Sequence, residues 1–131
     1  MPVLLPVHPR TRAVLLRDKS AAADGIHMID PVGYLDMVRL ERHARLVVTD
    51  SGGVQKEAFF HRVPCVTLRD ETEWVELVAL GWNRLVPPTS VGAIRDGILA
   101  ALQAAKPAPP PSDYFGGGRA SATIVELLCR T

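Results

Sequence analysis

Short apolar runs alternate with longer amphipathic stretches along most of the chain. Val3-Leu4-Leu5 predicts a first strand ended by Pro6, and Thr11–Asp18 a short helix behind it. Ile26–Ile29 reads as a second strand closed by Asp30-Pro31. Tyr34–His43 then reads as a helix carrying Leu35 and Val38 on one face. Leu46-Val47-Val48-Thr49 is a continuous, β-branched run of the kind buried on both faces of a parallel sheet. Val54–His61 predicts a helix and Cys65–Leu68 a strand. Asp70, with Glu73 three places on, has the spacing of a capping box for a helix running to Leu80 and stopped by Gly81. Arg84-Leu85-Val86 is a further short strand ended by Pro87-Pro88. Ser90 is placed to cap a last regular helix, with Val91, Ile94, Ile98, Ala101 and Leu102 at helical spacing.

About five strand–helix alternations predict an α/β fold, a Rossmann-like parallel sheet with flanking helices. The expected organisation is a Rossmann-like domain over 1–106, a Pro/Gly-rich connector over 107–118 and a separate C-terminal helix over 119–131. The connector contains Pro107-Ala108-Pro109-Pro110-Pro111, which cannot be helical, and the Gly116–Gly118 turn. The terminal helix presents Ile124, Val125, Leu127 and Leu128 on a broad apolar face, which suits packing elsewhere than on the nearest sheet.

At 131 residues the chain has the length of one ordinary domain, and 47% apolar with 22% charged residues argues against disorder. A formal charge of +1 and few aromatic residues give no footprint for nucleic acid. No apolar run reaches the length of a membrane span. Two cysteines make no metal framework, and Cys65, inside an apolar run, reads as a buried free thiol that suits a reducing, cytoplasmic setting.

Candidate chemistry sits where strands end. In Thr49-Asp50-Ser51-Gly52-Gly53, a buried strand leads through two glycines directly into a helix. At the carboxyl edge of a parallel sheet, such a turn lets backbone N–H groups and the positive helix end meet an anion, a diphosphate above all. Glu57, one turn on, suits ribose hydroxyls; a capping turn with a solvated Glu is the alternative. A second strand end, Leu68–Glu76, offers Arg69 to phosphate, the Thr72 hydroxyl to a ligand and Glu73 to sugar, against a local cap and salt bridge. Trp74 reads as a packing residue. A third, Pro6–Arg12, holds His8 in a stiff turn between prolines, with Arg10 and Arg12 as anion contacts or surface charges. No nucleophile elbow and no metal-ligand spacing occur in the sequence. Together the three rims suggest a nucleotide-sugar diphosphate site.

The run Asp50-Ser51-Gly52-Gly53-Val54-Gln55-Lys56-Glu57-Ala58, then Arg69-Asp70-Glu71-Thr72-Glu73-Trp74, Gly81-Trp82-Asn83 and the Gly116-Gly117-Gly118-Arg119 tail resemble the non-hydrolysing UDP-N-acetylglucosamine 2-epimerase family. Val7-His8-Pro9-Arg10-Thr11 fits it too. The resemblance spans essentially the whole chain. It implies the C-terminal half of a two-domain GT-B fold, lacking that domain's first strand. It also implies inversion at C2 by elimination and re-addition of UDP, without NAD or an essential metal. The substrate would be UDP-N-acetylglucosamine or UDP-2,3-diacetamido-glucuronate.

On this resemblance Ser51, Gly52 and Gly53 hold the diphosphate, and Glu57 the ribose. Met37 borders the uracil, where the family often has an aromatic. Arg69, Thr72 and Glu73 face phosphate or sugar. His8 matches a histidine near the domain interface or an effector site, with Arg10 beside it. No catalytic residue is assigned, because the family's acid/base carboxylates belong mainly to its N-terminal domain. The expected partners are UDP, a UDP-sugar and that domain, with the full-length enzyme a cytoplasmic homodimer and this portion inactive alone. Two competing expectations are the donor domain of a GT-B glycosyltransferase and a non-catalytic UDP-binding remnant.

Overall fold

The computed structural model describes residues 1–17, 25–111 and 114–130, leaving aside the side chain of Leu16. They form two compact units, Met1–His43 and Ala44–Thr131. The first unit has strands β1 (Val3–Pro6) and β2 (Ile26–Ile29), parallel and in register from Val3 opposite Ile26 to Pro6 opposite Ile29. Helices α1 (Pro9–Arg17) and α2 (Tyr34–His43) belong to this unit, and Arg12 pairs with Asp30 at 3.0 Å. The predicted helix end at Asp18 lies outside the described residues.

The second unit is built on strands β3 (Val47–Thr49), β4 (Cys65–Thr67) and β5 (Asn83–Leu85), all parallel and in that spatial order. All of β4 is buried, which is why its sequence shows no alternation of polar and apolar residues. Helix α3 (Gly52–Phe60) lays Ala58 on Val47, Val63 and Cys65, and Phe59 on Leu77 and Trp82. Helix α4 (Val75–Ala79) contributes the fully buried Leu77. Helix α5 (Val91–Gln103) is capped as expected: Ser90 Oγ accepts the Ala93 N–H at 3.1 Å.

One expected cap is absent. Asp70 and Glu73 do not open a helix, because α4 starts only after Trp74, whose N–H donates instead to Thr72 Oγ1 at 3.1 Å. Glu73 turns away to Arg69, and residues 69–74 become a loop.

Both α3 and α4 end in a doubly hydrogen-bonded reverse turn. At α4, Gly81 takes the required left-handed conformation (φ +76°), with Gly81 N–H donating to Val78 O and Trp82 N–H to Leu77 O. At α3 the same pattern runs from Arg62 N–H to Phe59 O and from Val63 N–H to Ala58 O, but the left-handed residue is Arg62 (φ 57°). A side chain with a Cβ is strained there.

The proline-rich connector lies along this unit, with Trp82 Nε1 donating to Ala108 O at 3.2 Å. Phe115 then packs edge-on against Phe59, 5.5 Å between ring centres. Lys56 Nζ sits between two rings, 3.9 Å from the Trp74 centre and 4.1 Å from that of Phe115. A single 3₁₀ turn, Gly116–Gly118, leads into α6 (Ala120–Cys129), whose Ile124, Val125, Leu127 and Leu128 are exposed.

Two stability predictions follow from this packing. Arg62→Gly relieves the left-handed strain and stabilises the chain by about 0.5–1 kcal/mol in chemical denaturation, after the entropy that glycine adds to the unfolded chain is offset. Within α5, alanine is worth about 1 kcal/mol over glycine by helix propensity alone. A Cβ at Gly92 meets only Ser90 Oγ at 3.8 Å, whereas one at Gly97 runs into Val86 Cγ2 at 2.5 Å. Gly92→Ala therefore stabilises and Gly97→Ala destabilises by about 1–2 kcal/mol, overpacking on a buried valine outweighing propensity. Equal effects at the two positions would contradict the close α5–Val86 approach.

Candidate functional site

The register of the three-stranded sheet sets Thr49, Thr67 and Leu85 level with one another. The chain leaves β3 and β4 at the same rim, and Leu68 N–H still donates to Thr49 O at 2.9 Å beyond the last strand residues. Thus the 50–53 turn and the 69–73 loop border one edge, the carboxyl edge of parallel strands where open α/β folds take ligands.

The turn is built for a backbone approach. Ser51 N–H donates to Thr49 Oγ1 at 3.0 Å, folding the chain back before α3. The Ser51 side chain is exposed and makes no capping hydrogen bond, and the first turn of α3 contains no acidic residue. The positive end of the helix is therefore not neutralised by its own turn. Gly52 has a steric reason: a Cβ there would lie 2.0 Å from Glu73 Oε1. At Gly53 the nearest atom to a Cβ is Ser51 Oγ at 3.9 Å, so the approach to this backbone is open.

The 69–73 loop supplies charge. Arg69 Nη1 donates to Glu73 Oε2 at 3.1 Å, both side chains remaining partly exposed. The Glu73 carboxylate thus accepts from the guanidinium with one oxygen and fills with the other the space a Gly52 side chain would need. Trp74 bolts the same two segments together, its Nε1 donating to Gly52 O at 2.9 Å. Trp74 is therefore a packing residue with a hydrogen-bonding task.

Thr72 is oriented inward. It is 9% exposed, and its hydroxyl donates to Gln55 Oε1 at 2.6 Å while accepting the Trp74 N–H. Gln55 Oε1 also accepts from Asn83 Nδ2 at 2.9 Å, and Asn83 Oδ1 accepts from Thr67 Oγ1 at 2.8 Å. A buried polar chain therefore runs from the loop through α3 to β5 and β4. Gln55 and Asn83 stand in runs that carry the family resemblance but received no role from the sequence, since a glutamine on a helix and an asparagine at a strand start are usually surface residues.

Ser51, Gly52, Gly53, Arg69, Thr72 and Glu73 are brought together, and Glu57 is half-buried on α3 one turn past Gly53. His8, Arg10 and Met37 belong to the other compact unit. There His8 Nδ1 accepts the Arg10 N–H at 3.3 Å at the head of α1, which puts the proton of the neutral ring on Nε2. Arg10 is exposed and Met37 half-buried on α2. Among the described residues no group of His, Cys, Asp and Glu could hold a metal ion, and no helix is long and apolar enough to cross a membrane.

Comparison with known proteins agrees with this fold. The family model described as UDP-N-acetylglucosamine 2-epimerase matches residues 1–129. A UDP-N-acetylglucosamine 2-epimerase homolog of Methanococcus maripaludis is 49% identical, over 96% of this chain and 35% of its own length. The UDP-2,3-diacetamido-2,3-dideoxy-D-glucuronate 2-epimerase of Pseudomonas aeruginosa is also 49% identical, over 98% of this chain and 35% of its own. Among solved structures, the Methanocaldococcus jannaschii UDP-GlcNAc 2-epimerase in complex with UDP-GlcNAc and UDP superposes with a TM-score of 0.80. It is 38% identical, covering 99% of this chain and 36% of that one. The chain thus spans about a third of the length of the relatives it matches. On the family match, carried across nearly every residue, this chain belongs to the UDP-N-acetylglucosamine 2-epimerase family.

Proposed function

We propose that this chain is the C-terminal, UDP-binding portion of a 2-epimerase, holding the diphosphate of a UDP-sugar at the Ser51-Gly52-Gly53 turn. The observation that carries the reading is that turn itself: backbone open at Gly53 and a helix end that Ser51 leaves uncapped, beside the Arg69–Glu73 pair, at the carboxyl edge of parallel strands. The ribose falls to Glu57. In the other unit, the family resemblance gives Met37 to the uracil and His8, with Arg10, to an effector nucleotide-sugar or a domain contact.

In the reaction the C1–O bond to UDP breaks with its electron pair while a proton leaves C2, giving a 2-acetamidoglucal. UDP then re-adds at C1 as a proton returns to the opposite face of C2. Leaving UDP gains negative charge, so the groups of this chain that matter are those aimed at it. They are the N–H groups at the head of α3, the Ser51 hydroxyl and the Arg69 guanidinium. Arg69 is paired with Glu73 before ligand arrives. An incoming phosphate takes over the guanidinium and turns the Glu73 carboxylate toward the sugar. The proton-transfer groups belong to the N-terminal portion of the longer enzyme, which we read as a cytoplasmic homodimer. We assign the exposed apolar face of α6 to that portion. By itself the chain binds but does not turn over. The relatives' names support either UDP-N-acetylglucosamine or the diacetamido-glucuronate as substrate.

Calorimetric titration with UDP tests the reading. The folded chain is expected to bind, and Ser51→Ala and Glu57→Ala each to weaken binding about tenfold, equal to ~1.4 kcal/mol. A folded wild-type chain that gives no heat with UDP, or variants that bind as tightly as wild type, would sink it.

A further inference from the structure

Gln55 is fully buried on α3, directly after the Ser-Gly-Gly turn, and cannot itself touch a ligand. Its carboxamide oxygen nevertheless takes both the Thr72 hydroxyl, at 2.6 Å, and the Asn83 amide, at 2.9 Å. Thr72 lies in the loop that carries Arg69 and Glu73, and Asn83 opens β5. One atom therefore links the helix below the turn to the loop opposite it and to the sheet behind both. The link has a cost: Gln55 Nε2 is buried without a hydrogen-bond partner among the described residues. An apolar side chain of the same shape would remove that orphan but leave the buried Asn83 amide and Thr72 hydroxyl without their acceptor, so the carboxamide oxygen is what satisfies both neighbours. What the carboxamide adds over an apolar group is direction, because it allows Thr72 one distance and one orientation.

We propose that Gln55 is a positioning residue, whose carboxamide oxygen holds the Arg69–Glu73 loop in register with the Ser51–Gly53 turn so that the loop backbone carrying Arg69 is in place before ligand arrives. This rests on the diphosphate reading of that turn. Preformed donors are worth more to an anion than donors that must be ordered on binding. Without the link, the loop keeps its anchors at β4 and at Trp74, but Arg69 is free to sample positions away from the turn.

The test is a double-mutant cycle read by UDP titration, with thermal unfolding of each variant beside it. Gln55→Met and Thr72→Val both remove the Thr72–Gln55 hydrogen bond; the first also releases the Asn83 amide and the second the Trp74 N–H, losses that thermal unfolding reads separately. Each is expected to weaken UDP binding about tenfold, and the double variant no further than either single one. Binding like wild type in folded Gln55→Met overturns the proposal, as does a double variant whose loss is the product of the two single losses. The latter would mean that Thr72 touches the ligand directly. If Gln55→Met does not fold, Thr72→Val against wild type carries the comparison through amide hydrogen exchange. Exchange also separates this proposal from the nucleotide reading. Should the wild-type chain not bind UDP, that reading fails. The positioning role then stands if exchange at Gly52, Gly53 and residues 69–73 is faster in Thr72→Val than in wild type, and falls if it is unchanged.

Discussion

The three residues of β4 are the constraint on which the second unit depends. Cys65, Val66 and Thr67 are buried and hydrogen-bonded to strands on both sides, so the strand has no freedom to slip by one residue. A slip would reverse every side chain and carry Thr67 away from Asn83. Because β4 holds still, the ends of β3 and β4 stay level. The glycine turn and the arginine loop then meet at one rim although their residues are separated by a whole helix. The site is a consequence of strand register before it is a consequence of any charged group.

Two kinds of packing hold that frame, and they act differently. Phe59, Leu77 and Trp82, with Phe115 returning from beyond the connector, form an apolar and aromatic cluster that contributes stability without much direction. The Thr72–Gln55–Asn83–Thr67 chain contributes direction, and its orphan amide shows that it does so at some expense of stability. The first holds α3 against α4 and Phe115, while Ala58 on Val47 and Cys65 keeps α3 on the sheet; the polar chain decides where the loop beside it points. A similar division appears at the turn itself. Gly52 is small because Glu73 occupies the space beside it, whereas Gly53 faces open space that a ligand can enter.

The connector extends this logic. Trp82 grips Ala108 and Lys56 bridges Trp74 to Phe115, so Ala108 and Phe115 are both docked on the second unit. Helix α6 then exposes Ile124, Val125, Leu127 and Leu128 together, an apolar face that suits a chain spanning about a third of its relatives' length. That face costs free energy in water for as long as it stays uncovered.

Local periodicity was enough to read the element order, the parallel α/β class and the two strand ends that carry the site. Strand runs, helix repeats and Ser-Gly-Gly turns are written in neighbouring residues. The Ser90 cap was legible for the same reason, since cap and amide are three residues apart. The Asp70–Glu73 capping box had equally good spacing and did not form: Glu73 pairs with Arg69 within the loop, and Thr72 finds its partner elsewhere in the fold. The polar chain that Thr72 joins is distant in sequence: Thr72 and Gln55 are 17 residues apart, and Asn83 and Gln55 28. Glu73 and Gly52 are likewise far apart in the chain and meet only because two strand ends are brought side by side. The left-handed Arg62 ends α3 through local bonds to Phe59 and from Val63 to Ala58, but without the glycine that would have marked it in the sequence. Sequence determined which chemistry was present and on which turns. Only tertiary structure decided which way Thr72, Glu73 and Gln55 face, because a polar side chain takes the nearest partner in space, and nearness in space is set by the register of the sheet.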